Sequence, residues 1–315
     1  MKLKLKGVAI TPRAFQRTNH GGFTMMDLLV VIGTTGILVV ILLPTLGFSK
    51  AKSQVEYCLS NFNQLAKACA MYTSDNQELY PPNPDDGNTI PGYAWVEGDE
   101  AGWMPNPSAG GAVNADNADL LRNPATDLLA NYLGGNIGVF KCPADPRIEL
   151  SGGKLYPVVR SVSCNQGVGT VDASWLHGGA HSGPPTVPVP GPWLTGSHTE
   201  AYSRYATFGK SSGFKNISPS DIWTYVDDDP WTINDDAMAV IAAEPEWIDY
   251  PSTMHQNATG FAFADGHSEM HHWQSNVLIH TGVAGTTTAK PGLQYNDWYW
   301  WAWHATRSST TGSVP

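Results

Sequence analysis

The stretch GGFTMMDLLVVIGTTGILVVILLP (residues 21–44) is the most apolar part of this 315-residue chain. The 21 residues from Phe23 to Leu43 include one charged side chain, Asp27. As an α-helix, this segment would be about 31 Å long at about 1.5 Å per residue. That length matches the hydrocarbon core of a bilayer, so the sequence predicts a transmembrane helix over residues 23–43.

Charge is distributed unevenly along the chain. Residues 1–22 contain five basic side chains and no acidic one, although the whole chain has a net charge of −10. Basic segments stay on the cytoplasmic side of a membrane, so the acidic remainder is predicted to lie outside. An acidic body also argues against a nucleic-acid partner. The hydrophobic content of 42% excludes extended disorder.

The residues after the apolar run have the pattern of an amphipathic helix. Pro44 is expected to kink it near its start, and Pro81 and Pro82 follow its end. Apolar residues recur at spacings of three or four from Ser49 to Tyr72, which places them on one face: Val55, Cys58, Phe62, Leu65, Cys69 and Tyr72. The sequence therefore predicts an amphipathic stalk helix over residues 44–80.

Residues 81–315 are predicted to form a globular head of short strands and long loops. In the run FAFADGHSEMHHW, Asp265 and Gly266 lie between two segments with the alternating residue pattern of β-strands. The dipeptide Asp-Gly is a strong hairpin-turn signal. We therefore expect a hairpin within residues 255–273, in which His255 hydrogen-bonds to Asp265. Further short strands are predicted over residues 138–141, 156–163, 222–226 and 238–241.

Two groups of side chains have the chemistry of cation ligands. Asp227, Asp228 and Asp229 offer the oxygen ligands that calcium prefers, but their spacing matches no EF-hand, and the alternative is a solvated acidic turn beside Pro230. The histidines near the hairpin suggest a transition metal, although no standard zinc motif occurs. The turn explains His255 and Asp265 without any metal, so calcium is the one cofactor that the sequence suggests.

The four cysteines leave several arrangements open. Cys58 and Cys69 are separated by about 16 Å along one helix, which is beyond the reach of a disulfide. A bridge must therefore join the helix to the body or link Cys142 to Cys164. Four buried thiols are the other interpretation.

The Trp-rich run NDWYWWAWH (Asn296–His304) fits either a core element or a surface on which sugars stack. No P-loop, G-x-S-x-G motif or Cys/His nucleophile arrangement occurs in the sequence. The chain is therefore predicted not to be an enzyme, with a metal-dependent enzyme of the cell envelope as a further alternative.

The segment GGFTMMDLLVVI resembles the processing signal of type IV prepilins and pseudopilins. In that family a prepilin peptidase cuts after the glycine, here Gly22, and methylates the new amino-terminal residue, here Phe23. The family's acidic residue at mature position five, usually Glu, corresponds to Asp27, and its helix proline corresponds to Pro44. The resemblance implies that Asp27 pairs with the terminal amine of a neighbouring subunit.

The segment Cys58–Asn83 and the H-x9-D-G element formed by His255, Asp265 and Gly266 resemble a subgroup of large pseudopilin-like proteins. This resemblance implies an α+β fold. A long amino-terminal helix, membrane-spanning in its first half, would pack on an antiparallel β-sheet head with long loop insertions. The expected organisation is a cleaved leader (1–22), a transmembrane segment (23–43), a stalk (44–80) and a periplasmic head (81–315).

The same resemblance implies further site residues. It adds weight to calcium at Asp227, Asp228 and Asp229, because major pseudopilins of the type II system have a calcium site in a carboxyl-terminal loop. The subgroup's motifs typically include Cys58 and Cys142, which implies a Cys58–Cys142 disulfide. Cys69 and Cys164 stand where that pattern usually has other residues, and we expect them to form a second bridge, Cys69–Cys164.

The function implied by the resemblance is structural. The protein would be a pseudopilin or pilin-like subunit of a type II secretion or type IV pilus-like filament, located at the bacterial inner membrane. Its partners would be prepilin peptidase, other pseudopilin subunits, the inner-membrane platform of the secretion system and membrane lipid. The alternative is a single-pass anchored periplasmic binding module, for example for glycans, that does not polymerise.

Overall fold

The computed structural model describes residues 22–84, 90–97, 116–151, 154–177, 181–196, 204–230, 232–276 and 286–308. Residues 1–21, which make up almost all of the predicted leader, lie outside this part of the chain. The chain divides into two compact units, Met1–Ser49 and Lys50–Pro315. Each unit is described by itself.

Two α-helices occur in the described residues: α1 (Met25–Asp75) and α2 (Leu293–Ala305). At the start of α1, the backbone N–H and the hydroxyl of Thr24 donate to Oδ2 of Asp27 at 2.9 and 2.7 Å. The N–H of Asp27 donates back to Oγ1 of Thr24 at 3.2 Å, which completes a capping box. The helix ends just before Gln77 and Glu78, whose positive φ angles of 58° and 66° cannot continue a right-handed helix.

Eleven short strands are present in the same residues. They are β1 (Ile148–Ser151), β2 (Lys154–Pro157), β3 (Val162–Asn165), β4 (Thr170–Val171), β5 (Val187–Pro188), β6 (Trp223–Asp227), β7 (Ala237–Met238), β8 (Glu246–Trp247), β9 (Ala258–Phe263), β10 (Ser268–His272) and β11 (Thr287–Thr288). Five of them form the central sheet in the order β10-β9-β6-β3-β7, and the others form the two-stranded pairs β1–β2, β4–β5 and β8–β11.

The fold class predicted from the sequence is wrong. Across the described ranges, no helix combines the length and the apolar character that crossing a membrane requires. The central sheet is also mixed rather than antiparallel, because β7 pairs parallel with β3 through Cys164 and Ala237. Alternating apolar residues predict that a strand exists, but the direction in which strands pair depends on how the chain returns to the sheet.

Both faces of the central sheet are covered within the unit Lys50–Pro315. Side chains alternate along β9, so Ala262 packs in one core with Phe62 of α1, whereas Phe261 packs in a second core with Trp301 of α2. The strands β6 and β9 are buried along their whole lengths for this reason.

Close contact between α1 and the sheet depends on Gly260. A Cβ atom at this position would lie 2.6 Å from Cε2 of Phe62 and 3.0 Å from Sγ of Cys58. The side chains of α1 that enter the core at this contact lie on one helical face: Cys58, Phe62, Leu65 and Cys69. The amphipathic pattern of the sequence therefore corresponds to a face packed on the body.

Candidate metal centre

Four side chains of metal-ligand type meet beneath α1. Cys58 lies on the buried face of that helix, and Cys142 follows the 3₁₀-helix Ile137–Phe140. Asp227 is the last residue of β6, and His255 lies in the loop before β9. One ligand atom from each residue lies within 4.8 Å of all the others, and in the described part of the chain this is the one such group of three or more.

The four side chains are excluded from solvent, with exposed fractions between 0% at Asp227 and 4% at His255. Sγ of Cys142 lies 3.1 Å from Nε2 of His255. None of the described residues donates a hydrogen bond to Oδ2 of Asp227, which is itself buried. A buried carboxylate oxygen without a partner is rare in folded proteins and calls for an explanation.

A second layer of hydrogen bonds holds two of these side chains in place. The hydroxyl of Ser161 donates to Oδ1 of Asp227 at 2.7 Å and accepts from the N–H of Cys142 at 2.8 Å. The N–H of Ala144 donates to Sγ of Cys142 at 3.4 Å. One serine therefore orients both an oxygen and a sulfur ligand.

Burial sets the protonation of the cluster. The hydrogen bond with Cys58 and burial raise the pKa of the Cys142 thiol. Burial and the neighbouring Cys142 also raise the pKa of Asp227 well above its ordinary value. Burial lowers the pKa of His255, so its imidazole is neutral and has a lone pair to offer.

The three consecutive aspartates do not form one ligand group. Asp227 belongs to the cluster with the two cysteines, whereas Asp228 accepts from Ser163 Oγ at 2.6 Å and from Thr232 Oγ1 at 3.2 Å. The interpretation of a solvated acidic turn is wrong, since Asp227, Asp228 and Asp229 are all buried. Calcium binding by these residues stays a prediction.

The hairpin forms as the sequence predicts, but its turn is not hydrogen-bonded to His255. Strands β9 and β10 pair antiparallel, and the turn contains Gly266 with φ +96°. Asp265 Oδ1 accepts from the N–H of His267 at 3.1 Å and lies 2.6 Å from its Nδ1. The predicted bond between His255 and Asp265 is wrong, because β9 places the two residues at opposite ends of a strand about 20 Å long.

All four cysteines are free, buried thiols in the structure, which is one of the arrangements that the sequence left open. Cys58 and Cys142, which the resemblance pairs in a disulfide, are neighbours in the cluster. Cys69 and Cys164 lie in the same core outside the cluster. Burial raises the pKa of Cys69 to about 12.

The residues of the predicted processing signal lie in the unit Met1–Ser49. Gly22 and Phe23 are exposed and precede α1. Asp27 occupies the first turn, where Thr24 engages its carboxylate. Pro44 lies within α1.

The Trp-rich run forms most of α2, and its aromatic residues are divided between the core and the outer side of the helix. Trp298 and Trp301 are buried in the second core. The rings of Tyr295, Tyr299 and Trp303 stack at centroid distances of 6.3 and 5.9 Å along the outer side. They border a cleft of about 440 Å³ whose lining is aromatic and amide-rich: Gln274, Tyr295, Asn296, Tyr299, Trp300, Trp303 and His304.

No protein-family model, no curated protein and no solved structure matches this chain.

Proposed function

We propose that the protein is a pilin-like structural subunit that is cut between Gly22 and Phe23 and assembles through the amino-terminal part of α1. The observation that carries this proposal is the exposure of large apolar side chains from Phe23 to Ile41, which ranges from 47% at Leu28 to 79% at Met25. A helix that is apolar on all sides requires an apolar cover. The proposed cover is the same segment of other subunits.

Asp27 supports the same proposal. It is the one acidic residue in this apolar segment, and a carboxylate in apolar surroundings requires a partner. Within one chain, the partners of Asp27 are the N–H and the hydroxyl of Thr24, both neutral. Cleavage after Gly22 would create a positively charged amine at Phe23, and we propose that this amine on a neighbouring subunit pairs with Asp27.

The proposed partners are a prepilin peptidase, other pseudopilin subunits and the inner-membrane platform of a type II secretion or type IV pilus-like system. The body would lie on the periplasmic side. The proposal assigns the protein no catalysed reaction.

Processing is tested by the intact mass of the full chain produced in a host that has a prepilin peptidase. We expect the wild type to lack residues 1–22 and to carry one additional methyl group, and Gly22→Leu to keep its leader. Gly36→Leu is the matched control, because a Cβ at Gly36 meets no described atom within 4 Å. A wild-type chain that begins at Met1 would contradict the proposal.

Assembly is tested by sedimentation of filaments in cells that process the protein normally. We expect Asp27→Asn to be cleaved yet to lose most sedimentable protein. Thr24→Val removes the capping hydroxyl but keeps the carboxylate, so it should still assemble. Equal loss in both variants would mean that Asp27 acts only as a helix cap.

A second candidate function rests on the aromatic cleft of α2. The exposed ring of Tyr299 and the half-buried ring of Trp303, together with the amides of Gln274 and Asn296, are of the types that stack on and hydrogen-bond to sugars. A glycan-binding role would suit an anchored module that does not polymerise.

This role is tested by electrophoresis of the protein through gels that contain cell-envelope polysaccharide. A glycan-binding protein would be retarded, and Tyr299→Ala would abolish the retardation. Tyr57→Ala is the control, because Tyr57 is an exposed aromatic side chain on α1, outside the lining of the cleft. Unretarded wild-type protein would remove this candidate.

A further inference from the structure

We propose that Cys58, Cys142, Asp227 and His255 bind one Zn²⁺ ion in a closed, structural site. This inference is independent of the proposed function, since it concerns only the unit Lys50–Pro315.

The donor set selects the class of metal. Two thiolates and one imidazole are the ligands that zinc prefers, whereas calcium and magnesium require oxygen ligands. Iron–sulfur clusters are typically held by four cysteines, and this group has two. A site with two sulfurs, one nitrogen and one oxygen therefore fits zinc best.

The geometry requires little rearrangement. Zinc at about 2.3 Å from sulfur and about 2.0 Å from nitrogen or oxygen gives tetrahedral edges of roughly 3.3–3.8 Å. The ligand atoms already lie within 4.8 Å of one another, so the largest gap must close by roughly 1 Å. The contact of 3.1 Å between Cys142 Sγ and His255 Nε2 is slightly shorter than such an edge and would open as both atoms turn to one ion.

The Asp227 carboxylate provides independent evidence for an ion. Its Oδ1 is held by Ser161, while no described residue donates to the buried Oδ2. The Cys142 thiol hydrogen-bonds to this carboxylate, and a cation at the centre of the cluster would replace the thiol proton and give Oδ2 a partner. The network through Ser161 and Ala144 would keep Asp227 and Cys142 aimed at that ion.

The site would be structural because the four protein ligands complete a tetrahedron and leave no position for water or substrate. It would join four separated segments: α1, the chain just after the 3₁₀-helix Ile137–Phe140, the end of β6 and the loop before β9. Zinc would thus tie the carboxyl-terminal part of α1 to the central sheet.

The test measures metal in the full chain, purified with mild detergent from cells grown with added zinc. We expect about one zinc per chain by elemental analysis, and loss of most of it in Cys58→Ser and in Asp227→Asn. Cys69→Ser and Cys164→Ser are the matched controls, since both thiols are buried in the same core but lie outside the cluster. Both controls should keep the zinc.

Two measurements on the wild type keep the proposal falsifiable if a variant fails to fold. Replacement of zinc by Co²⁺ should give the intense visible bands of a tetrahedral ion and a thiolate-to-cobalt charge-transfer band. Alkylation without reductant should show Cys58 and Cys142 protected in the zinc form and reactive after chelation and unfolding. A chain without metal, an octahedral Co²⁺ spectrum or a Cys58–Cys142 disulfide in the native protein would each overturn the proposal.

Discussion

At the scale of single residues, Gly260 controls how closely helix and sheet approach. It lies in β9, where Phe62 and Cys58 of α1 occupy the space that a side chain would need. The same contact brings Cys58 to the metal-ligand cluster. A change at Gly260 therefore affects both the core and the candidate site.

We expect Gly260→Ala to lower the free energy of unfolding by about 1–3 kcal/mol, because the added methyl group overpacks the core. Chemical denaturation measures this loss. Gly213→Ala is the control, since a Cβ there meets no described atom within 4 Å and its effect should stay within about 0.5 kcal/mol. Equal stability of Gly260→Ala and the wild type would show that α1 does not pack on β9 as described.

Asp127 is a buried acid whose stability contribution depends on pH. Burial raises its pKa to about 7, and its Oδ1 accepts from the N–H of Leu129 at 2.9 Å. Because the folded pKa lies above the unfolded value of 3.8, the folded state retains a proton that the unfolded state has lost. The stabilisation of the folded state by this retained proton is fully present below pH 3.8 and is lost as the pH rises through about 7.

Asp127→Asn should remove that pH dependence. Relative to the wild type, the variant should gain up to about 4 kcal/mol in unfolding free energy between pH 4 and pH 8, at about 1.4 kcal/mol per pKa unit. Denaturation curves at several pH values measure the gain, and the exposed Asp119→Asn is the control. A constant difference between variant and wild type would contradict the raised pKa of Asp127.

At the scale of elements, α2 is held to the chain before it by one buried acid. Asp297 accepts from the N–H of Gln274 at 2.9 Å and from the N–H and hydroxyl of Ser275 at 2.8 and 2.6 Å. These bonds fix α2 against the segment that follows β10. Trp298 and Trp301 can then fill the second core.

Asp297→Ala should therefore destabilise the protein by about 2–4 kcal/mol, because it leaves buried donors unpaired. Thermal and chemical unfolding measure the effect, and near-ultraviolet circular dichroism reports on the packing of the tryptophans. The exposed Asp119→Ala should be close to neutral. A neutral Asp297→Ala would mean that apolar packing alone holds α2 in place.

At the scale of the whole molecule, the candidate zinc site lies where α1, the sheet and two loops meet. A ligand that binds only the folded state raises its stability by about 2.7 kcal/mol at a concentration one hundred times its dissociation constant. For a domain of this size we therefore expect the melting temperature to fall by roughly 5–10 °C when zinc is removed.

Differential scanning calorimetry of the full chain, with zinc and after chelation, measures this shift. Cys58→Ser should melt at the same temperature under both conditions, while Cys69→Ser should respond as the wild type does. An unchanged wild-type melting temperature would show that the cluster contributes no metal-linked stability.

The sequence by itself determined features that depend on near neighbours. The helical periodicity around Phe62 corresponds to a buried face of α1. Asp265-Gly266 forms the turn between β9 and β10, because glycine tolerates the positive φ that the turn demands. The strand predicted over residues 138–141 is wrong: the Asn136 side chain caps a 3₁₀-helix over Ile137–Phe140, a local bond that apolar pattern alone does not reveal.

Only the tertiary structure decided the pairing of strands and the composition of the candidate site. Cys58, Cys142, Asp227 and His255 were each singled out in the sequence, but for a disulfide, for calcium or for the hairpin. They are far apart along the chain, so no spacing rule joins them. They come together because α1 packs over Gly260 while β6 and the loop before β9 end beneath it, and that convergence is set by the packing of distant segments.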